Sequence, residues 1–337
     1  MTDGINQKYH YQPHQILSAN KYIKGIQNGD TNYLSKAITL VESSNPDHRK
    51  TANEVLKNIT KPNRLSIRIG ITGSPGVGKS TFIESFGNMI CDKGYKIAVL
   101  TIDPSSEKSG GSILGDKTRM GTLLKNNNAF IRPTPSKGTL GGVAQNTKEA
   151  IVLCEAAGYE IIVIETVGVG QSETAIHKMV DFFLLLLLAG AGDELQGIKR
   201  GIMELADGIA ITKADKGNEI EAKKAKITVK NALHLFPPYK NGWTPVTHIC
   251  SSIENKGIDK IWGTIENHWS KNLESGWIKE NRSNQNIFWM HQKIQEQLKS
   301  EFYDAPKVRE QILTIEKQVK SGEMDPFTAA NIMLKNE

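Results

Sequence analysis

The sequence predicts an α/β fold with a mostly parallel, doubly wound sheet, flanked by helical extensions at the N- and C-terminal ends. Three observations carry this expectation. Between residues 65 and 265, short apolar segments of strand length alternate with segments of helix length. The first strand candidate runs straight into a glycine-rich turn and then a helix candidate. Outside that window only helical periodicity appears.

Residues 1–62 read as helices. Ile16, Tyr22, Ile23 and Ile26 recur at helical spacing, and Gly29-Asp30 stops one helix and starts another. Leu34, Ala37, Ile38 and Val41 continue the pattern, as do Ala52, Val55, Leu56 and Ile59 after Pro46-Asp47. From residue 65, Ile67, Ile69 and Ile71 alternate with Ser66, Arg68 and Gly70, and a helix follows from Ser80. Further strands are expected at 96–102, 130–132, 160–164, 182–188, 208–212 and 246–250, with helices at 147–157 and 219–235. Right-handed crossovers between such strands gather the ligand loops at their carboxyl ends. Beyond 266, Ile287, Ile294 and Leu298, then Val308, Ile312, Ile315 and Val319, form helical stripes, and Asp325-Pro326 opens a last helix to 334. The expected division is 1–62, 63–266 and 267–337.

With 38% hydrophobic and 23% charged residues, the chain of 337 residues can bury a core and is neither disordered nor low-complexity. Its net charge of +6 is mild and suits an anionic small ligand. Nucleic acid is not indicated: Lys223, Lys224 and Lys226 have no interleaved aromatics and read as a solvated helix face. Cys91, Cys154 and Cys250 form no metal or redox spacing, which points to a reducing cytoplasm. The polar N-terminus lacks the apolar stretch of a signal peptide. The apolar run 182–190 falls short of the roughly 20 residues that span a bilayer, so no membrane segment is expected and a buried strand is.

Gly73, Ser74, Pro75, Gly76, Val77, Gly78, Lys79, Ser80 and Thr81 fit G-x-x-x-x-G-K-[ST], the P-loop. Its glycines let successive backbone N–H groups turn inward around phosphate oxygens, Lys79 reaches the β- and γ-phosphates, and the Ser80 hydroxyl ligates Mg²⁺. A P-loop protein needs an acidic group on a second strand to hold the metal. The apolar run ending at Glu165, with Gly168 three residues on, supplies it in the manner of the D-x-x-G switch of GTPases. Asp103 and Asp116, between these motifs, are the remaining candidates for the metal, directly or through water.

Base choice rests on Thr212, Lys213 and Asp215, a variant of N-K-x-D at the end of a strand. A carboxylate there accepts from both N1–H and the 2-amino group of guanine, donors that adenine does not offer. The Lys213 stem would pack along the base. Thr212 stands where an asparagine is usual, and the expectation is that the brace between this loop and the P-loop is lost. Ser251, Ser252 and Ile253 follow the next strand, where GTPases place a loop whose backbone N–H meets guanine O6. Gln171 lies six residues past Glu165, too far for the usual water-orienting glutamine, whose place Val169 occupies; intrinsic hydrolysis should be slow. The eight histidines are scattered and suggest no metal site.

The segments LTIDPSSEKSGGSILGDKTRM, FIRPTPSKGTLGG, IIVIETVGVGQSE and AGAGDELQGIKRGIMELADG resemble the methylmalonyl-CoA mutase-associated GTPases, the MeaB/ArgK family, from about residue 60 to 265. The resemblance implies a P-loop GTPase that binds GTP and GDP with Mg²⁺, with Lys79, Asp116 and Glu165 catalytic and Ser80, Asp103, Asp116 and Glu165 at the metal. It also implies a cytoplasmic homodimer, joined here through the arm 267–337, that gates cofactor loading and protects an adenosylcobalamin-dependent acyl-CoA mutase. The segment 193–204, with Gln196 and Lys199, matches an extra partner-sensing switch. The alternative, an ATP-using transport ATPase or kinase, is opposed by Asp215, and a scaffold with a vestigial site by the presence of all three motifs.

Overall fold

The computed structural model describes residues 16–60, 64–103, 120–135, 140–166, 172–189, 200–237 and 239–335. Its strands are β1 (Ile67–Gly73), β2 (Ile97–Asp103), β3 (Ala129–Pro135), β4 (Ile161–Thr166), β5 (Phe182–Leu188), β6 (Gly208–Thr212) and β7 (Val246–Ile249). They form one sheet of order β3-β2-β4-β1-β5-β6-β7, and every pairing is parallel. The helices are α1 (Ala19–Gln27), α2 (Thr31–Glu42), α3 (Pro46–Asn58), α4 (Lys79–Asp92), α5 (Leu140–Ala156), α6 (Ser172–His177), α7 (Arg200–Met203), α8 (Glu219–Leu233), α9 (Ile258–Glu274), α10 (Trp277–Asp304), α11 (Pro306–Ser321) and α12 (Pro326–Lys335).

Strands that read as continuous apolar runs serve two layers at once, because alternate residues point to opposite faces. Ile69, Ile71, Val99, Val163, Leu184 and Leu186 pack on one face with Phe82, Phe86 and Ile90 of α4 and Ile261, Trp262 and Ile265 of α9. Leu100, Ile162, Ile164, Phe183, Leu185 and Ile211 face the other layer, where Ile151 and Cys154 of α5 meet Ile26, Leu34, Ile38 and Val55 of the N-terminal helices. Caps fix those first helices: Asp30 accepts from Asn32 N–H and Asn45 from Asp47 N–H, both at 2.8 Å, with Pro46 at the first helical position.

Two elements differ from the sequence expectation. α5 begins at Leu140, well before residue 147, and takes Gly141 and Gly142 into its first turn. A glycine costs about 1 kcal/mol in a helix, less than a helix anchored by buried Ala150, Ile151, Leu153 and Cys154 returns. β3 extends to Pro135 through two prolines, which an edge strand accepts because, among the described residues, it pairs on one side alone. The expected boundary at 266 falls inside α9. Among the described residues no helix is long and apolar enough to cross a membrane, and the run 182–188 is instead the buried strand β5.

The amino edge of the sheet carries a buried carboxyl. Asp207 accepts from Phe183 N–H at 2.8 Å, and its own N–H and C=O are taken by Phe183 O and Trp243 Nε1. Burial pushes Asp207 up to about 7, against the Phe183 hydrogen bond and with Asp181 adding to the rise. His268, 3.7 Å away, is pushed down to about 4 by burial among Phe182, Trp243 and Trp277, so at mildly acidic pH neither group is charged. Between the ordinary carboxylate value of 3.8 and about 7, the folded chain holds a proton that the unfolded chain has lost. Stability through this group therefore falls as pH rises across that window. His268, held below its ordinary 6.5, contributes the opposite sign between about 4 and 6.5. Asp207→Asn should therefore make the slope of melting temperature against pH more positive there than in the native chain; an unchanged slope would refute the assignment.

Candidate functional site

β1 ends at Gly73, where a side chain is excluded: a Cβ would stand 2.6 Å from Leu186 O of β5, with φ at 153°. The chain turns over buried Val77, whose N–H donates to Ser74 O at 3.2 Å, and Gly78 opens α4 from a left-handed φ of 96°. The unpaired N–H groups of the first turn of α4 thus face the loop, an arrangement that favours anions. Pro75, Gly76 and Thr81 lie exposed on its rim. Lys79 is folded inward, its ammonium donating to Gly73 O at 2.8 Å and Ser74 O at 3.2 Å. Burial lowers its pKa, and the nearby Glu165 and Glu173 carboxylates oppose the fall.

Glu165 sits in β4 between β1 and β2, level with Ile71 and Thr101. Its carboxylate accepts from the Ser80 hydroxyl at 3.1 Å, so two motifs 85 positions apart converge at the mouth of the loop. Next to it, Thr166 donates to Thr72 at 3.0 Å and ties the ends of β4 and β1. Asp103 ends β2 on the strand beside β4, one position past the Ile102–Thr166 pair. Asp116, Gln196 and Lys199 lie outside the described residues, as do Gly168, Val169 and Gln171.

At the other end of the same edge, the expected loss of the brace at Thr212 does not occur. The Thr212 hydroxyl donates to Val77 O at 2.8 Å and also lies 3.1 Å from Leu187 O, so it links the end of β6 to the P-loop. A hydroxyl on a short side chain suffices because β6 ends close to that carbonyl. Lys213 takes a left-handed φ of 54°, and its stem runs over Gly78, with Cε 3.9 Å from where a Cβ there would stand. Buried Asp215 accepts from the Ser251 hydroxyl at 2.6 Å, and Ser251 in turn accepts from Glu254 N–H at 3.2 Å. Ala214 N–H donates to Cys250 O, and Ser252 O accepts from Ser85 of α4 at 2.8 Å, which fixes the loop against the P-loop helix. Ile253 is 65% exposed.

One edge of the sheet therefore presents an anion-binding loop with a lysine, a hydroxyl–carboxylate pair of hard oxygen donors, and an oriented carboxylate. Sequence reasoning missed three contributors: the Thr212 hydroxyl as a brace, the Ser251 hydroxyl as the group orienting Asp215, and buried Glu173 of α6 near Lys79. Only the last left a signal, an acidic residue in the first turn of a short helix after the switch glycine.

The model of the family "Methylmalonyl Co-A mutase-associated GTPase MeaB" matches residues 34–307. The chain is 45% identical over 344 residues to the mouse mitochondrial methylmalonic aciduria type A homolog, covering 99% of this chain and 81% of that one. It is 44% identical over 276 residues to the GTPase ArgK of Escherichia coli, covering 82% and 83%. Among solved structures, a LAO/AO transport system kinase superposes with a TM-score of 0.73 at 33% identity, covering 95% of this chain and 99% of that one.

Proposed function

We propose, from the premise that this chain belongs to the methylmalonyl-CoA mutase-associated GTPase family MeaB and is a P-loop GTPase, that it acts as a nucleotide-driven chaperone of an adenosylcobalamin-dependent acyl-CoA mutase. In this reading it gates cofactor loading and protects the mutase from inactivation. The observation that supports it is the convergence of Ser80, Lys79 and Glu165 at one end of the site with Asp215 and Ser251 at the other. That spacing along a single sheet edge suits a triphosphate at one end and a guanine base at the other.

The roles follow from the chemistry. The loop 73–81 and Lys79 take the phosphates, Asp215 the guanine donors, Lys213 the base plane, and 251–253 the O6 side. Ser80, Asp103, Asp116 and Glu165 are the residues proposed to hold Mg²⁺, and the Ser80–Glu165 pair at 3.1 Å offers the hard oxygens it requires. When bound, Mg²⁺ neutralises charge on the β- and γ-phosphates. Lys79 supplies a second positive charge there, and Glu165 orders the strand end that leads into the switch. The segment 193–204, with Gln196 and Lys199, is proposed as the surface that reads the mutase.

We further propose a homodimer through the C-terminal arm. Ile287, Met290, Ile294 and Leu298 of α10, spaced for one helical face, are 54%, 50%, 47% and 61% exposed. Sedimentation of the full chain decides it, and a monomer removes the dimer from the reading. The free, buried cysteines accord with a cytoplasmic setting.

The functional test is GTP turnover with and without the cognate mutase. Stimulation by the mutase is expected, with Lys199→Ala reducing the stimulation more than the nucleotide affinity, because coupling between two sites is reciprocal. Native turnover that is indifferent to the mutase, with no binding in either nucleotide state, would overturn the chaperone reading and reopen the transport-kinase alternative.

A further inference from the structure

A cavity of about 190 Å³ opens at the sheet edge opposite the P-loop, where the residues before β1 meet α5 and α10. Its lining is basic: Arg64, Arg68, Lys148 and Arg282, with Glu155 and Asn286. Arg68 grips Glu155 with two hydrogen bonds of 2.8 and 3.0 Å. Arg282 grips Asp181 with two more, of 2.8 and 2.6 Å, and also donates to Ser66 O at 2.6 Å. Asp181 further accepts from Arg68 N–H, and the Ser66 hydroxyl donates to Glu155. Arg64 is occupied by Glu160. Both carboxylates of the cluster are thus taken by arginines.

Lys148 is the fourth cation of this lining, and among the described residues its amine has no acceptor: Nζ is buried without a hydrogen-bond partner. Burial and neighbouring Arg68 push it down to about 7, with Arg282 acting the same way and Glu155 and Asp181 opposing. A buried amine with no acceptor is destabilising unless something supplies one. Among the described residues no side chain does so, and the cavity of about 190 Å³ is the space beside it.

We propose that this cavity is a second anion-binding site, which takes the phosphate or carboxylate group of a compact ligand on Lys148 beside the Arg68 and Arg282 guanidiniums. The volume lies below the roughly 300 Å³ at which drug-sized pockets begin, so the ligand is small and is not a nucleotide. An arriving oxyanion restores the charge balance and stabilises the ammonium form, so binding takes up a proton at and above neutral pH. Because Arg282 and Asn286 come from α10 and Lys148 from α5, the ligand would join the C-terminal arm to the sheet domain.

Inorganic phosphate and malonate, titrated separately into the full chain saturated with Mg·GDP, test this by calorimetry in two buffers of different ionisation heat. The expected result is a single saturable site for at least one probe, with proton uptake. Phosphate alone binding would mark a phosphate ligand, and malonate alone a carboxylate one. Lys148→Met should weaken binding about ten- to a hundred-fold, the value of a charge-assisted hydrogen bond. Lys148→Arg should keep most of it, and Lys79→Ala under the same saturating Mg·GDP should bind the probe as the native chain does. No binding of either probe, equal affinity in Lys148→Met, or loss in Lys79→Ala would each overturn the site.

A second readout needs no ligand. Between about 7 and the ordinary 10.5, Lys148 is neutral when folded and charged when unfolded, so folding releases a proton and native stability rises with pH. Lys148→Met should therefore melt higher than the native chain near neutral pH, with the gain shrinking toward alkaline pH. A gain that does not change with pH would place the amine elsewhere.

Discussion

Replacing Lys79 by alanine will reduce GTP hydrolysis to background and leave the fold intact. The ammonium lies inside the loop, 2.8 and 3.2 Å from two of its carbonyls, where it is placed to meet charge that develops on the β- and γ-phosphates. A preorganised group of this kind is worth about a hundred- to a thousand-fold or more in rate when removed. Stability should respond in the opposite sense. Burial lowers the pKa of Lys79, so its charge is held at a cost in the folded chain, and Glu165 and Glu173 only partly offset it. Single-turnover hydrolysis and thermal melting of the nucleotide-free protein separate the two effects. A melting temperature that falls as far as for a core deletion would make Lys79 structural. Glu165→Ala, which frees the Ser80 hydroxyl, is expected to weaken Mg²⁺ dependence more than nucleotide binding.

Sequence revealed most where one local segment had to do a job alone. The P-loop was legible because phosphate binding needs glycine at positions whose geometry excludes a side chain: a Cβ at Gly73 would stand 2.6 Å from the Leu186 carbonyl oxygen. The first helices were legible because their apolar residues, such as Leu34, Ala37, Ile38 and Val41, recur at helical spacing and because Gly29-Asp30 breaks the pattern locally, Asp30 capping within two residues. What stayed hidden depends on folding. The Thr212–Val77 and Ser251–Asp215 bonds join positions 135 and 36 residues apart, and nothing in either segment announces its partner. The asparagine that Thr212 replaces is an expectation about side-chain type; the brace is a matter of distance, and the geometry of β6 lets a shorter side chain make it. The start of α5 and the length of β3 were misjudged for a related reason, since glycine and proline preferences are local while burial and edge position belong to the sheet.

Asp215 is where that hidden contact has the largest consequence for specificity. Its carboxylate is buried and held by the Ser251 hydroxyl at 2.6 Å, which leaves it oriented rather than free to rotate. Guanine presents two donors, N1–H and the 2-amino group, to such an acceptor, whereas adenine presents an acceptor at N1 and no 2-amino group. A buried polar site left unpaired rejects the wrong ligand by several kcal/mol, so native protein should favour GDP over ADP by at least about a hundred-fold. Asp215→Asn replaces one acceptor by an NH₂ donor that opposes the guanine donors, and GDP affinity should fall by about that factor while ADP affinity stays low. Xanthine nucleotides provide the control for misfolding. They carry a carbonyl at C2 in place of the amino group, so the new amide can donate to it, and Asp215→Asn should bind XDP better than the native chain does. Ser251→Ala should produce a smaller loss of GDP affinity, because it loosens the carboxylate without removing it. Competitive titration of the three diphosphates against the native and Asp215→Asn proteins reads all of this. Equal GDP and ADP affinities in the native chain would sink the guanine assignment, and a variant that gains nothing for XDP would show that Asp215 does not face the base.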